Sequence, residues 1–247
     1  MRVLALDTTS RAGSVALIEN ERVVDERAGD ASRTHGERLP AELADLGAPW
    51  PTIDVFAVAS GPGSFTGLRI GIATMQGLAL VTGRRVVGVS ALEALAHVAG
   101  AGLAPGALVA SWIDAQRGEV FSALYQVTGA PLFTPERLLE LEAPAVASPA
   151  ATLAAWSNYD LLSATFAGEG AVRYATVSGY GAPAPPALLA GAIGRMAAVR
   201  ASRGLTASPA AIHPLYVRRP DVELHRETAV AKATAVRPVP HDHPLDG

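Results

Sequence analysis

Ser60-Gly61-Pro62-Gly63-Ser64-Phe65-Thr66-Gly67-Leu68-Arg69-Ile70-Gly71 joins a run of strand-forming residues, Val55 to Ala59, to a segment with helical patterning that continues to Val81. A glycine-dense turn between a strand and a helix has two uses: its free backbone N–H groups hold an anion, or its missing side chains let two backbones come close. The familiar phosphate signatures are absent, because the turn ends Gly67-Leu68-Arg69 where a Walker loop has Gly-Lys-Ser/Thr, and the spacing of a dinucleotide loop does not occur. Gly63, Gly67 and Gly71 recur every fourth residue, with Ala73 and Gly77 beyond them, so one stripe of the helix predicted over Ser64 to Val81 is almost without side chains. A glycine inside a helix costs about 1 kcal/mol relative to alanine, so the stripe implies a close backbone contact that offsets the cost. The neighbouring stripe, Leu68, Ile72, Met75 and Ala79, is apolar. A helix small on one side and apolar on the next is expected to have two different neighbours.

The chain has 247 residues, 49% of them hydrophobic and 17% charged, enough to fill one large or two small cores. A net charge of −3 argues against a broad basic surface that would hold nucleic acid unaided. With no cysteine, neither a disulfide framework nor a thiolate metal site can form, which suits a reducing cytoplasm. Met1-Arg2-Val3-Leu4 leads directly into a strand ending at Asp7, so no signal peptide is expected. The longest apolar helix carries Arg69 and Gln76 and is read as packed against protein, not as a membrane span.

Residues 3 to 6, 14 to 18 and 22 to 27 read as a three-strand meander, followed by a helix over His35 to Leu46 with Leu39, Leu43 and Leu46 at helical spacing. Pro40 falls near its first turn. A strand over Ile53 to Ala59, the glycine helix, a strand over Arg85 to Val89 and a helix over Ala91 to Ala99 complete a β-β-β-α-β-α-β-α order. After Gly100 to Ala107 the opening theme recurs: strand Leu108 to Ile113, turn Asp114-Ala115-Gln116-Arg117-Gly118, and a returning strand Glu119 to Tyr125. Strand, aspartate, turn, strand at both Asp7 and Asp114 implies two related lobes. The expected layout is an α/β protein with a first lobe over 1–104 and a second, reduced lobe over 105–224 whose last helix is free to return to the first. A loose, proline-bearing tail over 225–247 follows. Within the second lobe, Ala143 to Ala155 is rich in alanine and proline and Ala164 to Gly170 is a strand running into a glycine turn. Pro186 to Arg203 reads as a weakly amphipathic helix.

Candidate chemistry is sparse. His35 with Glu37 could form an acid/base pair, but at the start of a helix they read better as a solvated helix entry or an interface contact. Ser64 with Thr66 has no histidine tied to it, so N-capping is the better reading than nucleophile. Arg69 either meets an acidic partner group or lies on the wet side of its helix, and Arg218 with Arg219 reads as solvated surface. The six histidines, His35, His97, His213, His225, His241 and His243, supply no ligand pair outside the tail.

Several motifs together resemble the ASKHA superfamily of actin, sugar kinases and Hsp70, and within it the bacterial TsaB family. They are Leu6-Asp7-Thr8-Thr9-Ser10 with Ser14-Val15-Ala16-Leu17, His35-Gly36-Glu37-Arg38-Leu39-Pro40, and Ser60 to Gly71. Asp114 to Phe121, Gly168-Glu169-Gly170 and Pro214-Leu215-Tyr216-Val217-Arg218 complete the set, in the family's order. Gln116 interrupts the more usual Asp-Ala-Arg run, and residues 140 to 205 match poorly.

The resemblance implies two ASKHA-type (actin-like, RNase H-like) lobes, each a mixed sheet flanked by helices, and a function without chemistry of its own. In the related catalytic subunit, TsaD, two histidines four apart bind a metal; here Ala91 and Leu95 stand in the matching places, so no metal and no catalytic residue is expected. Asp7, Thr8, Thr9 and Ser10 occupy the place of a phosphate hairpin, read as degenerate because the second turn carries Gln116 and Arg117 in place of glycines. The implied role is a scaffold that pairs with TsaD and lets the ATPase TsaE join, for threonylcarbamoylation of N6 of the adenosine beside the anticodon in tRNAs reading ANN codons. The implied interface is a four-helix bundle using His35, Glu37, Leu39, Leu43 and Leu46 with Gly67, Leu68, Gly71, Ile72 and Met75. ATP, magnesium and a metal then belong to the complex, tRNA is met only through it, no membrane is involved, and copies of the chain could pair with one another. Rival readings are a small-molecule kinase of the same fold and a peptidase acting on the paralogue.

Overall fold

Strand β1 (Arg2–Asp7) lies at the centre of a five-stranded sheet and is buried from its second residue onward, because both of its faces are covered. A computed structural model describes residues 1–178, 183–184 and 187–217 of the chain. β2 (Ser14–Glu19) and β3 (Arg22–Ala28) follow as an antiparallel meander, with Asp7 opposite Ser14 at the first turn. Helix α1 (His35–Asp45), β4 (Val55–Gly61), α2 (Phe65–Thr82), β5 (Arg85–Ser90) and α3 (Ala91–Ala99) complete the first part, in the order expected from sequence. β4 pairs parallel to β1 and β5 parallel to β4, giving the order β3-β2-β1-β4-β5.

The same plan recurs. β6 (Leu108–Asp114) pairs antiparallel with β7 (Val120–Val127), which pairs with β8 (Leu138–Ala147); α4 (Pro149–Ala155), β9 (Thr165–Ala167), α5 (Glu169–Arg173), α6 (Ala175–Ser178) and α7 (Ala190–Ser202) follow. β9 lies parallel to β6, so the second sheet runs β8-β7-β6-β9. Each sheet thus places its aspartate-ended strand between an antiparallel hairpin partner and a parallel strand.

Three apolar clusters hold this arrangement. On one face of the first sheet Leu4, Leu6, Phe56 and Val58 pack against Leu39 and Leu43 of α1 and Ile72, Met75 and Ala79 of α2. On the other face Val3, Ala5, Ile18 and Ala57 meet Leu92 of α3 and Ile193, Met196 and Ala197 of α7, and the cluster continues into Val109, Phe121 and Ala123 of the second sheet. Trp112, Trp156, Leu161 and Phe166 form the third, with Trp112 edge-on to Phe166 at 5.2 Å.

One expectation needs correction in the second half, that of the last helix. The alanine- and proline-rich stretch ends β8 and forms α4, whose start is capped by Ser148 with Pro149 at the first turn. Pro144 is tolerated there because β8 is an edge strand, where no neighbour needs its missing N–H. The last helix is not amphipathic. Ala190 to Gly194 and Met196 to Val199 are all buried, since Gly191 and Gly194 let the backbone settle against Val23, Glu26 and Ile18 of the first sheet. Its first N–H groups are capped from the sheet itself, Ala190 donating to Ser14 Oγ at 3.0 Å and Gly191 to the Glu26 carboxylate at 2.7 Å. Pro186 at the predicted start, Arg218, Arg219, His225, His241, His243 and the whole tail over 225–247 lie outside the described residues.

Beyond α7 the chain straps back across the first sheet. Ala207 exchanges backbone hydrogen bonds with Val86, Gln76 of α2 donates to the carbonyls of Pro209 and Ile212, and Leu215 N–H donates to Ser60 O at 2.7 Å. By length and composition α2 could cross a bilayer, but a third of it is buried inside the protein, held between the sheet and this strap.

Candidate partner-binding helices and the hairpin beneath them

The turn between β1 and β2 closes on itself. Asp7 Oδ1 accepts from Thr9 N–H at 2.8 Å and from Thr9 Oγ1 at 2.6 Å, and Gly13 N–H donates to Ser10 Oγ at 3.1 Å. Thr9 and Gly13 are thus engaged within the hairpin, while the buried Thr8 hydroxyl has no hydrogen-bond partner among the described residues. Burial raises the Asp7 carboxyl above its ordinary range, opposed by the Thr9 hydrogen bonds and by nearby His35. Helix α1 clamps the same turn: His35 Nε2 lies 3.1 Å from Ser10 O, and the buried Arg38 guanidinium donates to Ala12 O, to the Glu42 carboxylate and to His35 Nδ1 at 2.7 Å. With Nδ1 accepting, His35 carries its proton on Nε2, and desolvation together with Arg38 lowers its pKa.

The glycine stripe of α2 is consumed here. A Cβ on Gly67 would strike the Thr8 carbonyl oxygen, one on Gly71 the Thr8 hydroxyl, and one on Gly63 the backbone of Thr9. Ser64 N–H donates to Thr9 O at 2.8 Å, tying the start of α2 to the hairpin. The backbone approach that the stripe implies is real, but its partner is the chain's own turn and not a second helix.

That changes where the sequence-predicted interface residues lie. Leu39, Leu43, Leu46, Gly67, Leu68, Gly71, Ile72 and Met75 are buried in the chain's own core, as is His35 against the hairpin; of the set, only Glu37 is exposed. Glu37 is not paired with His35: its carboxylate accepts from Thr34 N–H and Oγ1 at 2.8 and 2.7 Å and caps the helix. Ser64 likewise caps α2, accepting from Gly67 N–H at 3.2 Å. Arg69 lies over the Phe65 ring at 3.9 Å and donates to the Tyr216 hydroxyl at 3.0 Å.

Apart from Glu37, the residues that face outward are not those expected at the interface, and of them Ala73 and Gly77 belong to the small-residue stripe. On α1 they are Gly36, Pro40, Ala41 and Ala44; on α2 they are Thr66, Ala73, Gly77, Leu80 and Val81, the last two 75% and 88% exposed. A phase count was the available signal, since 66, 73, 77 and 80 fall opposite 68, 72, 75 and 79 on a helical wheel.

At the second turn both Asp114 oxygens are engaged, accepting from Gln116 N–H at 3.1 Å, from the Gln116 amide at 2.9 Å and from Arg173 of α5 at 2.7 Å. Gln116 and Arg117 both take left-handed backbone angles, the conformation that glycines would supply more easily. Gly168 has φ +102°, and a Cβ there would strike Trp112 O and the Leu95 side chain. Ala91 and Leu95 are buried, with Leu95 packed onto Gly168. Among the described residues no group of three or more His, Asp or Glu is arranged to hold a metal.

Residues 27–171 match the family described as TsaD: tRNA N6-adenosine threonylcarbamoyltransferase. The tRNA threonylcarbamoyladenosine biosynthesis protein TsaB of Escherichia coli (strain K12) is 42% identical over 131 residues, 51% of this chain and 55% of that protein. The protein of the same name from Bacillus subtilis (strain 168) is 34% identical over 134 residues, 51% of this chain and 56% of that one. The aligned stretches thus span little more than half the length of these curated relatives. Among solved structures, one described as an uncharacterized protein with similarity to peptidase YEAZ from Pseudomonas aeruginosa is 30% identical with a TM-score of 0.72, covering 88% of this chain and 99% of that one. Motifs, the repeated hairpin-and-parallel-strand plan and these likenesses agree: the chain belongs to the TsaB/YeaZ family of the ASKHA-like superfamily.

Proposed function

We propose that this chain is the non-catalytic pairing subunit of a tRNA threonylcarbamoyladenosine synthase. It binds a TsaD-type catalytic subunit, the pair admits the ATPase TsaE, and the assembly modifies N6 of the adenosine beside the anticodon in tRNAs reading ANN codons. The observation that carries the reading is the outer face of α2, where Ala73, Gly77, Leu80 and Val81 stand in solvent, together with the exposed small residues Gly36, Ala41 and Ala44 of α1. Apolar side chains this exposed favour a partner helix pair, either TsaD's or that of a second copy. The lack of chemistry of its own is supported by Ala91 and Leu95, which offer a metal no ligand, by Asp7, whose Oδ1 is held by Thr9, and by Asp114, whose oxygens are held by Gln116 and Arg173. Those closed turns also weigh against a kinase. Action in the cytoplasm, without a membrane, follows from the same role.

The test is reconstitution. Purified TsaD, TsaE, tRNA, ATP and a threonylcarbamoyl donor system are assayed for modified adenosine with and without this chain. Loss of product on omission is expected; product undiminished without the chain would falsify the reading.

A further inference from the structure

A cleft of about 450 Å³ opens where four separate stretches of chain meet. Its wall consists of Ser90 at the end of β5, Glu93 of α3, Tyr125 of β7, Glu140 with Leu138 and Pro144 of β8, and Leu215 of the terminal strap. The volume is in the range that holds a small organic ligand.

Charge decides what kind. Glu93 is held by both oxygens on Arg200 at 2.7 and 2.8 Å, and Arg200 also donates to Gly88 O, so that pair is neutral and fixed. Glu140 is exposed, sits directly across the β7–β8 ladder from Tyr125, and has no ion-pair partner among the described residues. The cleft therefore carries one uncompensated negative charge. Tyr125 is almost wholly buried and bonded to Ser90; burial first, then the field of Glu93 and Glu140, raises its pKa, so its hydroxyl stays protonated. Leu138, Pro144 and Leu215 add an apolar wall beside these acceptors.

We propose that the cleft binds a single ammonium or guanidinium group carried on an alkyl stem, with the head on the Glu140 carboxylate beside the Tyr125 hydroxyl and the stem along Leu138, Pro144 and Leu215. The chemistry has two sources, a free alkylamine or a lysine or arginine side chain of another protein, and it does not depend on the pairing role above. Leu215 is bonded to Ser60 at the turn that opens α2, so an occupant would also touch the strap that holds that helix.

The test is an amide NMR titration of the full chain with putrescine and agmatine, with N-acetyl-lysine and N-acetyl-arginine methylamides, and with butan-1-ol and magnesium chloride as controls. Saturable shifts centred on Glu93, Tyr125, Glu140 and Leu215 are expected with the cationic probes and not with the controls. At least tenfold weaker binding is expected in Glu140→Gln, whose exposed position leaves the fold intact. Binding of the free amines identifies a small-molecule site, and binding of the blocked amino acids alone identifies a site for a protein side chain; either supports the proposal. No saturable shift, equal shifts with butan-1-ol or magnesium, or unchanged binding by Glu140→Gln overturns it.

Discussion

At the residue scale the glycines of α2 separate into two kinds. Gly67 and Gly71 face Thr8 with no room for a methyl group, whereas Gly77 faces open space. Gly67→Ala and Gly71→Ala are expected to destabilise by about 1–3 kcal/mol through overpacking. Gly77→Ala is expected to be neutral or to stabilise by up to about 1 kcal/mol through helix propensity. Urea unfolding of the three variants checks this, and equal effects at Gly71 and Gly77 would contradict the packing described. His97 provides a second residue-scale prediction. It is fully buried, its Nδ1 accepts from Phe133 N–H at 3.3 Å, and it stacks on that ring at 5.6 Å. Burial, with Arg200 and Arg137, pushes its pKa down to about 4. Because the folded state holds the neutral form, its contribution is intact above the unfolded value near 6.5 and is lost as pH falls towards 4, on the order of 3 kcal/mol in all. His97→Asn keeps an acceptor for Phe133 and removes the titration. The stability gap between variant and parent should therefore move in the variant's favour between pH 7 and 4, and a gap independent of pH counts against it.

At the scale of elements, α2 has two faces with separate duties. Leu68, Ile72, Met75 and Ala79 pack on the sheet, and Leu80 and Val81 stand outside. Leu80→Asp with Val81→Asp should leave thermal unfolding within the small range typical of surface changes, about 0.5 kcal/mol, while abolishing co-elution with a TsaD-type partner on size exclusion. A doubly substituted chain that still co-elutes would remove α2 from the interface. A large charged residue at Ile72 would instead break the core, so loss of pairing there would say nothing of the interface. α1 is tied to the β1–β2 turn by His35 and Arg38 and not to solvent, which is why the histidine that looked like surface chemistry proves to be a clamp.

At the scale of the whole molecule, the layer that covers the first sheet is not contiguous in sequence. α7 supplies Ile193, Met196 and Ala197 to the face opposite α1 and α2, and Ser14 and Glu26 of the sheet cap its start. Residues 1–104 expressed alone would expose Val3, Ala5, Ile18 and Ala57 to water and should lack cooperative thermal unfolding by circular dichroism. Joining residues 187–217 to that fragment through a flexible linker should restore it. A fragment 1–104 that unfolds cooperatively by itself would refute the covering role of α7.

What the sequence by itself determined was local and periodic. The β-β-β-α-β-α-β-α order, the repeated aspartate turn and the helix cap at Ser64 rest on interactions within a few residues, where spacing and side-chain chemistry are enough, whereas the capping role of Glu37 emerged only from the structure. Even the close approach at the glycines was legible, because a missing Cβ has few other uses inside a helix. The tertiary structure alone decided which body fills each approach: Thr8 and Thr9 against α2, and the first sheet against α7. It also decided that the apolar stripe of α2 is core and that the side in solvent is the opposite one. The reason is physical. A stripe of small or apolar residues states that something must come close, but burial is non-directional, and the partner is set by where the rest of the chain returns.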